Sequence, residues 1–465
     1  MNTGRTAIMV TIFFLAACAS APPLVDQEAV HHMINIDRNG NFVPIVADQR
    51  IDLSSNEGPR DRAIQAALDD QEDKPDLLQA SGLAGHWQAM ESALRRHAAD
   101  HGGRVNLLLY LHGGLNTERH SLQRVQERYP RILSESNMYP VFVNWRSGPI
   151  DAYGRHLTRI RQGRNSNSAL WTSPIYLLSD LLGSVAYAPK SWLDQGKHSW
   201  DSTIQREPDR WDTYLESRYH IIYTGDADAD SGTARGMLWV ATSPVKIVTT
   251  PFTYTLSKPA WDIMIRRTGT MFDKPSDFKN RPVRHAREQP RTGALALFLD
   301  RLIHFQTESG VQLDITLIGH SMGAIICNEI VRLFPALNIT TIVHMASADS
   351  IRNFLSNTIR FMEDHPKTQF YGLFLSPKNE DRETSAWGMT PSGSLLTWID
   401  NSFTTPTTEL DRRAGRWSNM RRALHLIPEA VLDRMHFKIF GQGNGPQEHG
   451  AFDDFSYWKA SFYWQ

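Results

Sequence analysis

Residues 314–331 read Asp314-Ile315-Thr316-Leu317-Ile318-Gly319-His320-Ser321-Met322-Gly323-Ala324-Ile325-Ile326-Cys327-Asn328-Glu329-Ile330-Val331. An apolar run of strand length passes into a G-x-S-x-G turn and then into an apolar run of helical length. A serine held at such a turn needs small residues two places to either side, so that strand and helix can approach closely around strained backbone. Gly319 and Gly323 meet that need, and Ala324 keeps the next helical position small. The turn is expected to lift Ser321 Oγ above the sheet edge. It aims the backbone N–H of Met322, at the helix N-terminus, toward the place where an oxyanion would form. A bare G-x-S-x-G occurs often by chance; the strand before it and the helix after it make Ser321 a candidate nucleophile.

Further strands are legible on both sides. Arg104 to Leu111 contains Leu107-Leu108-Leu109-Tyr110-Leu111, the unbroken apolar pattern of a strand buried on both faces of a parallel sheet. Val141 to Trp145, Thr341 to Ala346, Gln369 to Leu375 and His436 to Phe440 repeat that texture. A helix is predicted over Gly85 to Ala99, with Trp87, Met90, Leu94 and His97 at helical spacing. Asn39-Gly40 between the apolar runs His31 to Ile36 and Phe42 to Val46 signals a hairpin. Apolar strands alternating with helical stretches predict an α/β fold, a mostly parallel sheet with helices on both faces.

Composition narrows the function classes. With 13 Trp, 20 Phe and 13 Tyr among 465 residues, the chain carries far more aromatic surface than a disordered one. A net charge of -1 supplies no basic field for nucleic acid, so no nucleic-acid partner is expected. Of the two cysteines, Cys327 reads as a small buried hydrophobe in the helix after the turn, and Cys18 belongs to the N-terminus.

At that N-terminus Arg5 precedes the apolar run Ala7 to Ala17, which is too short to span a bilayer and reads as a secretory signal. It ends in Leu15-Ala16-Ala17-Cys18, which resembles the lipobox of bacterial lipoproteins. That resemblance implies a signal peptide over 1–18, lipid attachment at Cys18 and a tether over 19–28. Ala19 and Ser20 lack the aspartate associated with inner-membrane retention, which implies an outer-membrane anchor facing the periplasm. The remaining chain divides into a core, 29–150 and 291–465, and an insertion over 151–290. The insertion lacks the βα rhythm and is too long for a bare loop. It is expected to be a helical cap over the carboxyl edge of the sheet; its aromatic content also suits an interfacial or partner-binding lobe, the competing reading. Within it, Asp226 to Gly232 resembles the start of a calcium loop. The turn glycine falls one place late and Met237 stands where a glutamate is needed, so no metal is expected.

A nucleophilic serine needs a base, an orienting acid and a second oxyanion donor. His449, in Glu448-His449-Gly450, is the only histidine between the last predicted strand and the C-terminus, and is the candidate base. His112-Gly113-Gly114 follows the strand ending at Leu111 and offers glycine N–H groups with no Cβ in the way; the donor is that of Gly113, Gly114 or Leu115. His112 and His320 are expected to support the loop and turn backbone. Chain order Ser, acid, His leaves two acids open. Asp381 lies in the segment Ser376 to Glu383 after the strand ending at Leu375. Asp349 lies directly after the preceding strand.

In the order of these motifs, from His112-Gly113-Gly114-Leu115-Asn116 through Gly319-His320-Ser321-Met322-Gly323 to the His449 tail, the chain resembles uncharacterised bacterial α/β-hydrolases of serine esterase or lipase type. The resemblance covers about Val105 to Trp145 and Gln312 to Trp458, and does not cover the insertion. It implies an α/β-hydrolase fold and gives Ser321, His449 and a carboxylate the triad roles, without deciding between Asp381 and Asp349. The expected activity is hydrolysis of a carboxylic ester through an acyl-enzyme on Ser321, without cofactor. The anchor and the aromatic cap point to a hydrophobic acyl ester at a membrane. An acyltransferase would use the same residues, and a non-catalytic envelope lipoprotein would keep only the fold.

Overall fold

Leu107, Leu109 and Leu111 lie opposite Ile315, Leu317 and Gly319 in a parallel pair of strands, and this pair lies in the interior of the sheet, third and fourth of its eight strands. In the computed structural model, the described residues are 26–44, 81–114, 118–145, 258–274, 291–383, 393–404, 406–443 and 445–458, with short pieces at 79, 147, 160–161, 164–165, 214–215 and 218–225. The eight strands are β1 (Met33–Ile36), β2 (Arg104–Leu111), β3 (Met138–Trp145), β6 (His220–Thr224), β7 (Gln312–His320), β8 (Ile339–Met345), β9 (Gln369–Leu375) and β10 (Met435–Phe440). Their order is β1-β3-β2-β7-β8-β9-β10-β6, and every pairing is parallel. Two-residue strands β4 (Ile160–Arg161) and β5 (Arg164–Asn165) form a separate antiparallel pair.

The apolar runs become strands because their side chains are buried on both faces; Leu107 to Leu111, Ile315, Leu317, Ile318 and Phe370 all belong to one core. Helix α1 (Ala84–Asp100) buries Trp87, Met90, Leu94 and Ala98. The fourth buried position is thus Ala98, not His97, and Trp87 meets Phe298 edge-on at 5.8 Å. Helix α2 (Glu118–Glu135) connects β2 to β3, α3 spans residues 258–270, and α4 (Ala294–Glu308) buries eight residues from Ala294 to Phe305. Helix α5 (Gly323–Leu333) is apolar nearly all round because it packs against both β7 and β2. Among the described residues no helix is long and apolar enough to cross a membrane.

Two expectations are modified. The Asn39-Gly40 turn forms, with Gly40 at φ +85° and the Asp37 carboxylate accepting from the amides of Asn39 and Asn41 at 2.8 Å. Its arms share a single bridge, Ile36 to Phe42, because β1 takes β3 as its parallel partner. The stretch 151–290 is not a purely helical insertion, since β6 lies within it and extends the core sheet beyond β10. That pairing satisfies the backbone groups β10 would otherwise leave open at an edge. Helix α3 also lies within it and packs on the core, where a Cβ on Gly40 would stand 1.9 Å from the carbonyl oxygen of Thr270. Most of the rest of 151–290, the calcium-like loop, and residues 1–25 with Cys18 lie outside the described residues.

Candidate active site

In a parallel sheet all carboxyl ends share one edge, and the candidate segments leave from it. His112 to Gly114 follows β2, Ser321 follows β7, Asp349 follows β8, helix α6 (Pro377–Arg382) and Glu383 follow β9, and His449 follows β10. This is where open α/β sheets build their sites.

Ser321 sits at φ +52°, a left-handed conformation that costs a non-glycine residue about 1–3 kcal/mol and persists only where its surroundings enforce it. Those surroundings are visible. Its N–H donates to the carbonyl of Met345 at 2.9 Å, and its carbonyl accepts from Ala348 at 3.0 Å and Ala324 at 3.2 Å. The flanking glycines are required by contact. A Cβ on Gly323 would lie 2.0 Å from the Leu111 carbonyl oxygen, and one on Gly319 would lie 2.6 Å from Cys327 Sγ. Cys327 is buried, and burial pushes its thiol well above the ordinary range. Ser321 Oγ is buried and has no hydrogen-bond partner. Met322, the N-cap of α5, supplies one of the open N–H groups of that helix end.

The loop after β2 packs directly on the serine, with a Cβ on Gly113 falling 3.1 Å from Ser321 Cβ. His112 orients this loop. The Trp145 N–H donates to His112 Nε2 at 3.2 Å, so the ring proton is on Nδ1, which donates to the Gly113 carbonyl at 2.7 Å. Burial pushes His112 down to about 3, keeping it neutral. Ser147 Oγ also donates to that carbonyl, at 3.3 Å. Because the peptide is planar and trans, fixing the Gly113 carbonyl on one side turns the Gly114 N–H to the other. A Cβ on Gly114 would meet Met322 Sδ at 2.2 Å and Met264 Cε of α3 at 2.7 Å, so two thioether side chains border the loop.

His449 opens a 3₁₀ turn, His449–Asp453, and is buried. Its ring centroid lies 5.3 Å from that of His320. The His449 carbonyl accepts from His320 Nε2 at 3.0 Å, which puts the His320 proton on Nε2. Burial, and then His320, hold His449 well below its usual value, so its imidazole rests neutral. Neither of its ring nitrogens has a hydrogen-bond partner, so no bond links it to Ser321 Oγ. Hydrogen bonds of this kind often close only around bound substrate.

The carboxylates separate clearly. Asp349 is buried, and its oxygens accept from Asn328 Nδ2 at 2.6 Å, Asn353 Nδ2 at 2.9 Å and the Ser350 amide at 2.7 Å. It pins α5 to the helical run 351–364 and makes no bond to His449. Asp381 lies on α6, and its side chain lies outside the described residues. Glu380 faces inward to Arg416 at 3.1 Å in a buried network with Asp400, Arg413 and Asn419. Among the described residues the carboxylate that reaches His449 is Glu383, whose Oε2 accepts the His449 backbone N–H at 3.0 Å. Burial raises Glu383 to about 7; the bond to His449 opposes that rise and the nearby Glu448 adds to it. Among the described residues no three His, Cys, Asp or Glu side chains are grouped to hold a metal ion.

Comparison with family models, with curated proteins and with solved structures gives no match to this chain.

The position rule for the acid pointed to Asp381 in the segment Ser376 to Glu383, with Asp349 as the alternative, and did not name Glu383. Glu380 and Glu383 both lie there, and their different partners depend on how the chain leaves α6. Asp453, described below, carried no sequence signal.

Proposed function

We propose that this chain is a serine hydrolase of α/β-hydrolase architecture that cleaves a carboxylic ester through an acyl-enzyme on Ser321. The observation that carries this reading is Ser321 itself, a buried, strained residue with an unpartnered Oγ at the end of a central strand, backed by a glycine loop. Ser321 Oγ attacks the ester carbonyl carbon and gives its proton to His449. The N–H groups of Met322 and Gly114 stabilise the oxyanion. His449 passes the proton to the departing alcohol, then takes one from the water that attacks the acyl-enzyme and returns it to Ser321 Oγ as the acid leaves. Glu383 balances the imidazolium formed in each half. The Met264 and Met322 thioethers favour an apolar acyl chain beside the loop. Lipid attachment at Cys18 would hold the enzyme at the outer membrane, facing the periplasm.

The test is covalent labelling of full-length protein by a fluorophosphonate, mapped by mass spectrometry. The reading expects adduct on Ser321 in wild type and none in Ser321→Ala. Its labelling rate should fall by about 10²-fold or more in His449→Ala, the loss typical of a missing general base. Folded wild type that takes no label at Ser321 overturns it.

A further inference from the structure

The turn that carries His449 ends at Asp453, and that carboxylate is fastened to the elements on either side of the glycine loop. Asp453 Oδ2 accepts from Arg124 Nε at 3.1 Å and Nη2 at 2.7 Å, both from α2. Its Oδ1 accepts from Tyr110 Oη, on β2, at 2.8 Å. The Asp453 carbonyl accepts from Arg128, one turn further along α2. Behind them Trp458 stacks on Tyr110 at 3.7 Å between centroids, lies 4.6 Å from the Arg128 guanidinium, and donates from Nε1 to the Phe452 carbonyl at 3.0 Å. Arg124 is buried, and although burial opposes the Asp453 charge, the Arg124 guanidinium holds its carboxyl below the usual range.

β2 and α2 flank the loop His112 to Gly114, so one ion pair ties the base-bearing turn to the frame of the oxyanion loop. The ring of His449 packs beside that of His320 and makes no hydrogen bond. The hydrogen bonds that fix the residue run through its turn: Glu383 on the amide, His320 on the carbonyl, and Asp453 four residues on. We propose that Arg124 and Asp453 are positioning residues for His449, acting through the 449–453 turn without touching substrate. This rests on the proposed role of His449 as the base.

The experiment measures the fluorophosphonate labelling rate of Ser321 in full-length wild type, Asp453→Ala, His449→Ala and the double variant, each scored on folded protein by circular dichroism. A displacement of about 1 Å in a catalytic group costs on the order of 10²-fold. Asp453→Ala is therefore expected to lose about that much, while adding it to His449→Ala changes the residual rate less than twofold. A role confined to stability would lower both backgrounds alike, and that result overturns the proposal. So does an Asp453→Ala protein that labels at the wild-type rate. If Asp453→Ala does not fold, Asp453→Asn, of equal volume, is read by the same cycle with an expected loss of about tenfold. Wild type that fails to label overturns the catalytic reading and the positioning role together. Wild type that labels while the cycle is additive overturns the positioning role alone.

Discussion

The Glu383 carboxylate accepts the backbone N–H of His449 at 3.0 Å, while the His320 ring donates to the carbonyl of the same residue at 3.0 Å. One side chain from the segment after β9 and one from the last residue of β7 thus grip a residue from the segment after β10. Among the described residues Glu383 is the carboxylate bonded to His449, and the proposed function gives it the task of stabilising an imidazolium there.

Glu383→Gln removes that charge while keeping an acceptor for the His449 amide. The labelling rate of Ser321 should fall by about 10²-fold, in the range expected when a general base loses its support. In wild type the rate should rise with pH through about 7 as Glu383 ionises, and this limb should vanish in the variant. Stability moves the opposite way. A carboxyl raised from 4.5 to about 7 binds its proton more tightly when folded, so its contribution is fully present below about 4.5 and is lost as pH rises through about 7. Thermal melts across that interval should show a decline for wild type that is smaller for Glu383→Gln. Equal declines would contradict the assignment.

Ser321 stores backbone strain. Ser321→Gly relieves it, since glycine adopts positive φ freely, and should raise stability by about 1 kcal/mol in denaturant unfolding while abolishing labelling. A variant less stable than wild type would mean that the turn is not strained.

Two glycine substitutions should behave oppositely. A Cβ on Gly323 strikes the Leu111 carbonyl, so Gly323→Ala should separate α5 from β2 and cost about 1–3 kcal/mol as overpacking does. A Cβ on Gly85, in α1, meets nothing within 4 Å, so Gly85→Ala should gain up to about 1 kcal/mol from helix propensity. Urea titrations of both variants would show the contrast.

Asp349 offers a control among the carboxylates. Asp349→Ala leaves the buried amide of Asn328 and the exposed amide of Asn353 without their acceptor, and should cost about 1–3 kcal/mol in urea unfolding. Asp349→Asn should lose part of that stability yet label within a few-fold of wild type. A selective loss of labelling in a stably folded Asp349→Asn would make it the acid after all.

The sequence by itself determined the strands, the turn and the order of the motifs. These follow from local pattern: Leu107 to Leu111 must be buried on both faces, and Gly319 and Gly323 must bracket Ser321 wherever the chain turns this sharply. The serine, the glycine loop and the terminal histidine are legible for the same reason. Tertiary structure decided what depends on separation in space. Asp349 and Glu383 are both carboxylates beyond strand ends, and only packing sends one to Asn328 and the other to His449. Likewise β6, within a stretch that lacks the βα rhythm, becomes a core strand because β10 presents an open edge. Asp453 meets Arg124 across 329 residues of chain, a contact that no local pattern encodes.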